Sequence, residues 1–138
     1  MSAPDFLDTN ILVYGYDVTD PHKQRTAQNL IRKALAGEIV TSIQVLAEFS
    51  VTLLHKLAPP VRPKELCALL DVLAPIKLAV TDAETVRRAA EARAAYGIHF
   101  YDGMIVAAAE RAGCKRIWSE DFNTKQKYFG IEVANPFQ

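Results

Sequence analysis

The sequence predicts an α/β domain of three layers, a central parallel sheet covered by helices on both faces. Short apolar runs alternate with longer segments of helical period, and helix start and stop signals recur at nearly every junction. Half of the 138 residues are hydrophobic, enough for one core and too few for two, so a single domain over residues 1–138 is expected.

In chain order, Phe6-Leu7 is a brief apolar run that stops at Asp8, a short strand feeding residues 10–16, which can form a helical turn or two. Asp20 and Pro21 supply an N-cap and an N1 residue for a helix running to about Ala36 and stopping at Gly37. A second short strand is expected from Glu38 to Thr41. Ser42 then caps a long helix on which Leu46, Phe49, Leu53 and Leu57 recur at three and four residues, with Glu48 near its start. Pro59, Pro60 and Pro63 punctuate a turn, Leu66, Leu69, Leu70 and Leu73 mark the next helix, and a strand is expected from Ile76 to Val80. Thr81 with Glu84 reads as a capping box for an alanine-rich helix ending at Tyr96-Gly97. A further helix begins near Tyr101 and ends at Gly113. A strand then spans Lys115 to Trp118 and halts at Ser119-Glu120-Asp121, and Ile131 to Val133 forms the last strand.

Sixteen basic and sixteen acidic residues cancel, so the bulk charge points to neither a polyanion nor an anionic membrane. Any nucleic-acid binding must come from a local patch or from bound cations. Cys67 and Cys114 form no C-x-x-C or Cys/His cluster, which argues against zinc or redox chemistry and suits packing residues in a reduced cytosol. The opening residues lack a signal-peptide pattern, and no window approaches the length of a membrane span, so a cytoplasmic protein away from membranes is expected. There is no G-x-S-x-G, P-loop or Gly-rich dinucleotide turn.

What remains is a set of separated carboxylates: Asp8, Glu48, Asp102 and Asp121. In open parallel sheets, ligands sit beyond the carboxyl ends of the strands. Asp8 and Asp121 follow strands, and Glu48 and Asp102 lie early in helices, so all four fall on one rim. Ile105, Val106 and Ala109 lie three, four and seven residues after Asp102, so this acid heads the stripe expected to pack on the sheet. Each acid has a plain structural alternative. Asp8-Thr9-Asn10 makes an ordinary turn, Glu48 can be a solvated helix residue, and Glu120 can stand in for Asp121. Asp102 can be a helix N-terminal acid, worth roughly 0.3–1 kcal/mol.

Jointly they say more. Two carboxylates about 4 Å apart repel by about 4 kcal/mol at an effective dielectric near 20, so either some are protonated or a cation sits among them. Oxygen donors without Cys or His select Mg²⁺ or Mn²⁺. Such an ion polarises a phosphoryl oxygen and acidifies a bound water, which is the chemistry of phosphodiester hydrolysis. His99 reads as a residue leading into a helix rather than a general base, and Trp118 as core. Tyr101 reads either as a buried aromatic or as a base-stacking group. Lys125, Lys127 and Tyr128 follow Asp121 closely enough to touch an RNA backbone, and no RNA-contacting residue is assigned. Arg87, Arg88 and Arg93 default to a solvated helix face.

Four segments, Phe6-Leu7-Asp8-Thr9-Asn10-Ile11-Leu12, Thr41-Ser42 through Leu46-Ala47-Glu48-Phe49, Phe100-Tyr101-Asp102-Gly103 through Ala109, and Trp118-Ser119-Glu120-Asp121-Phe122, give a chain that resembles PIN-domain ribonucleases. In size and detail it is similar to the VapC-type toxins of toxin–antitoxin pairs. The resemblance implies that Asp8, Glu48, Asp102 and Asp121 are catalytic metal-binding acids, with Asn10 and Ser119 as polar supports. It also implies a sheet of five parallel strands, an Mg²⁺- or Mn²⁺-dependent cut of RNA that leaves a 5′-phosphate and a 3′-hydroxyl, a homodimer, and a cognate antitoxin over the site. The fourth acid varies within the family, so Glu120 stays open beside Asp121. Two alternatives also stay open. One is a haloacid-dehalogenase-like phosphatase, which wants a second Asp where this chain has Asn10; the other is a non-catalytic PIN-like RNA- or protein-binding module.

Overall fold

Phe6 and Leu7 face opposite sides of the sheet and neither is exposed at all, as befits a parallel strand covered on both faces. The computed structural model that places them describes residues 3–138. The two residues close β1 (Asp5–Leu7), which pairs in parallel with β2 (Ile39–Val40) on one side and β3 (Arg116–Trp118) on the other. β3 pairs in turn with β4 (Glu132–Ala134), giving the order β2-β1-β3-β4. Leu7 lies opposite Trp118, so the chain leaves β1 and β3 at the same level of the same edge.

Local chemistry sets the helix starts. Asp8 caps α1 (Thr9–Tyr16), Asp20 caps α2 (Pro21–Leu35) by accepting from the Lys23 N–H, and Ser42 caps α3 (Ile43–His55) by accepting from the Val45 N–H. After α4 (Pro63–Leu73), the segment 76–80 does not form the expected fifth strand. It makes one isolated parallel bridge, Leu78 opposite Thr41, through the Thr41 N–H to the Lys77 carbonyl (3.0 Å) and the Ala79 N–H to the Thr41 carbonyl (2.8 Å). The reason lies in the neighbouring strand. Ser42 turns the chain into α3 straight after Thr41, so the pairing cannot continue beyond that residue.

The capping box of α5 (Ala83–Tyr96) also lies one residue later than expected. Asp82, not Thr81, caps it by accepting from the Glu84 and Thr85 N–H groups, and Thr85 closes the box. The Asp82 carboxylate is held there by Arg111 at 2.6 Å. Gly97 ends α5 at φ 68°, where a side chain would be strained, and α6 (Phe100–Arg111) runs back against it. A Cβ on Gly103 would stand 2.7 Å from the Ala89 carbonyl oxygen, so this helix crossing requires glycine. Arg88 closes the pair from outside with two bonds to Glu110, at 2.8 and 2.9 Å.

Ile11, Val45, Leu53, Ile105, Val106 and Ile117 are buried around the sheet, each burial worth about 1.5–3 kcal/mol. Cys114 is buried and its thiol is pushed up to about 12, first by burial and then by Asp5, while Cys67 is exposed. Trp118 is only partly covered, and its indole N–H donates to Asp5 at 2.9 Å. Among the described residues, no helix is long and apolar enough to cross a membrane.

Candidate active site

The acids arrive from four separate elements. Asp8 stands where β1 ends, and the backbone itself fixes one of its oxygens: Oδ1 accepts from the Thr9 N–H at 2.7 Å, and Oδ2 accepts from the Ser119 hydroxyl at 2.7 Å. Only 6 % of Asp8 is exposed. Burial pushes its carboxyl up to about 6; the Ser119 and Thr9 hydrogen bonds oppose the rise, and the charges of Glu48 and Asp102 add to it.

Glu48 sits one helical turn into α3. Its Oε2 accepts from the Thr9 hydroxyl at 3.0 Å and its Oε1 from Gln44 at 2.7 Å, four residues earlier on the same face. Gln44 also donates to the Tyr101 carbonyl at 3.0 Å, tying α3 to the start of α6. Thr9 and Gln44 were not singled out in the sequence. The spacing of Gln44 to Glu48 was the available sign, while Thr9 was hidden inside an ordinary Asp-Thr-Asn turn.

Asp102 lies in the first turn of α6, exposed at the rim rather than packed on the sheet as its stripe suggested. Ile105, Val106 and Ala109 are buried as expected; the first turn simply projects past the edge that covers them. Among the described residues Asp102 has no hydrogen-bond partner. Its carboxyl is raised by burial, opposed by His99 and raised further by Glu48 and Asp121. His99 is the N-cap of α6, accepting from the Tyr101 N–H at 3.1 Å, a structural use of its Nδ1. Tyr101 is 57 % exposed, not buried, with its ring stacked on His99.

The turn after β3 separates Asp121 from Glu120. Asp121 accepts from the Asn10 amide at 2.9 Å, and its backbone N–H donates to the Ser119 hydroxyl at 3.1 Å. Glu120 turns the other way, accepting from the Tyr14 hydroxyl at 2.7 Å and from Lys23 at 2.6 Å. Burial works against its charge, but the bonds from Lys23 and Tyr14 outweigh that and hold its carboxyl below the ordinary value.

Asp8, Glu48, Asp102 and Asp121 thus share one rim. Asp8 senses Glu48 and Asp102, and Asp102 senses Glu48 and Asp121. No Lys or Arg is ion-paired to any of them among the described residues. Their side chains are spread: among the described residues no three acidic, His or Cys groups stand close enough to enclose an ion as placed. A groove of about 670 Å³ opens beside them between α1 and α3, lined by Asn10, Asp121, Glu48 and Tyr101 and, farther along α3, by Val51 and Lys56.

The PIN domain family profile matches residues 6–130. The chain belongs to the PIN domain family. No curated protein sequence matches it closely enough to count as a relative. Among solved structures, the Mycobacterium tuberculosis toxin VapC20, described as cleaving the sarcin-ricin loop, shares the PIN fold at a TM-score of 0.69 and 18 % identity over 93 % of this chain and 98 % of that one. VapBC2 from Rickettsia felis, solved on a DNA fragment from its promoter, matches at 0.66 and 20 % identity over 95 % and 97 % of the two chains. FitAB on the DNA fragment IR36 matches at 0.66 and 19 % identity over 97 % and 96 %.

Proposed function

We propose that this PIN domain is an endoribonuclease that works with Mg²⁺ or Mn²⁺, as the toxin of a toxin–antitoxin pair. The observation that supports it most is Asp8, a carboxyl closed off from water and raised to about 6, within reach of the charges of Glu48 and Asp102 and with no ion-paired Lys or Arg among the described residues. The donor chemistry fits a hard divalent ion: all the groups are oxygen, Asp102 is uncommitted, and each Asp8 oxygen keeps a second lone pair beside its one hydrogen bond.

Asp8, Glu48 and Asp102 would hold the principal ion, and Asp121 a second ion or the attacking water. When bound, the ion supplies Lewis-acid polarisation of a phosphoryl oxygen and acidity for the attacking water. The chain does the positioning. Ser119 and Thr9 fix the Asp8 oxygens, Thr9 and Gln44 fix Glu48, and Asn10 fixes Asp121, while the groove beside them accepts the RNA strand. A cytoplasmic location is part of this proposal.

The test is RNA cleavage by the purified chain in Mn²⁺ and in a chelator. We expect products with 5′-phosphate ends in Mn²⁺ and none with the chelator or in Asp8→Asn. Intact RNA with the wild type in Mn²⁺ would sink the nuclease reading. Turnover of a generic phosphate monoester would instead favour the phosphatase, and metal-induced stabilisation without cleavage would favour a binding module.

The toxin setting is supported by the naming of VapC20 as a toxin and by VapBC2 and FitAB being solved as paired assemblies on DNA. A second copy of the chain would cover the apolar face where Ile43 (57 % exposed) and Leu78 (42 % exposed) flank a cleft of about 490 Å³ with Leu46, Leu70 and Leu73.

A further inference from the structure

Of the two adjacent acids in the turn after β3, one faces the rim and the other does not, and the geometry of Glu120 states the reason. Its two carboxylate oxygens are both taken: Oε1 by the Tyr14 hydroxyl (2.7 Å) and Oε2 by the Lys23 ammonium (2.6 Å). Lys23 also donates to the Tyr14 hydroxyl at 3.2 Å, and its ammonium lies over the Tyr14 and Phe137 rings, 4.7 and 5.2 Å from their centroids. Phe137, near the end of the chain, packs edge-on against Tyr14 at 4.9 Å and closes the cluster from outside. Lys23 and Glu120 are 29 % and 27 % exposed at their side chains, so the pair is sheltered from solvent screening on most sides.

The same helix grips the neighbouring residue. Asn10 stands four residues before Tyr14, on the same face of α1; its amide nitrogen donates to Asp121 and its oxygen accepts from the Glu120 backbone N–H at 3.3 Å. Residues 119–121 are thereby held from α1 at two points one turn apart and from α2 at a third.

We propose that Lys23 and Tyr14 form a latch on Glu120 that orients Asp121 toward the acidic rim, making them positioning residues for the site: neither bonds to its four acids, and Tyr14 also lines the groove beside them. This rests on the nuclease reading for what Asp121 does, and on the hydrogen bonds alone for how it is held. With Lys23 removed, Glu120 keeps only the tyrosine hydroxyl and its charge turns toward water. The peptide it shares with Asp121 turns with it.

Two measurements on the full chain test the latch. Hydrogen exchange without metal should speed at least tenfold at the Glu120 and Asp121 amides in Lys23→Met. It should stay at the wild-type rate in Arg88→Met, which removes an ion pair to Glu110 between α5 and α6. Mn²⁺ affinity, read from the spin-resonance signal of the free ion without RNA, should fall three- to tenfold in Lys23→Met and hold in Lys23→Arg. In an Asp121→Asn background Lys23→Met should change it no further. Unchanged exchange at the two amides overturns the latch. So does a Lys23→Met loss that persists in full without the Asp121 carboxylate, which marks a general structural role. Faster exchange in a protein whose wild type binds no Mn²⁺ leaves the latch standing and removes the nuclease reading instead.

Discussion

Replacing Asp8 by Asn removes a charge from a place that resists it while keeping the shape of the side chain. In the folded protein this carboxyl titrates at about 6, against an ordinary value of 3.8. A carboxyl whose folded pKa is raised favours folding when protonated, so its penalty is absent below the unfolded value, grows as pH rises from there to the folded value, and is full above it. The difference in proton affinity corresponds to about 3 kcal/mol at about pH 7.5 and about 1 kcal/mol at about pH 4.5. Against this gain stands the Ser119 hydroxyl. It donates to Oδ2 and would face an amide N–H₂ after the substitution, a loss of about 1 kcal/mol that does not vary with pH. The expectation is that Asp8→Asn, unfolded by urea in a chelator, is about 2 kcal/mol more stable than the wild type near pH 7.5, with that advantage falling by about 2 kcal/mol near pH 4.5. Cleavage is lost throughout. A stability difference that is flat with pH, or that grows toward acid, would refute the placement of a strained charge at Asp8 and with it the reason for a cation there.

Other outcomes follow from the same geometry. Mn²⁺ binding, read by thermal shift, should weaken up to about tenfold per pH unit below about 6, because the ion and a proton compete for Asp8. Gly103→Ala should cost about 1–3 kcal/mol in urea unfolding, since its Cβ meets the Ala89 backbone, and should lower cleavage by moving the turn that carries Asp102. Asn10→Ala strips the Asp121 carboxylate of its partner and should cut the cleavage rate by about 10- to 100-fold while metal still stabilises the fold. Leu78→Asp should shift the protein toward monomer in sedimentation while Asp8→Asn does not, because only the former charges the exposed apolar face.

Much of this architecture is written locally. Asp20-Pro21, Ser42 and Gly97 mark their helix ends through chemistry that depends on the nearest few residues, and all three act where the sequence put them. What failed depended on distant partners. The segment 76–80 has the composition of a strand, yet whether it becomes one is decided by how soon Ser42 bends the neighbouring chain away. The start of α5 is set partly by Arg111, twenty-nine residues beyond Asp82. That the four acids lie toward one edge was legible, because strand ends and early helix turns share one edge of a parallel sheet. Choosing Asp121 over Glu120 was not, because it turns on Lys23 and Tyr14, whose approach to that turn leaves no mark in spacing or composition.

β3 lies inside the sheet, between β1 and β4, although it comes late in the chain. On the ribosome, the segment that lies between β1 and β4 is made after β1, β2 and the helices α1 to α6, and it brings Ser119 and Asp121 with it. A chain whose synthesis stalls before that point has Asp8 without its serine and a sheet of β2 and β1 alone. Such a fragment has neither the turn that carries Asp121 nor the hydroxyl that holds Asp8, so the acidic rim is assembled only once β3 has formed.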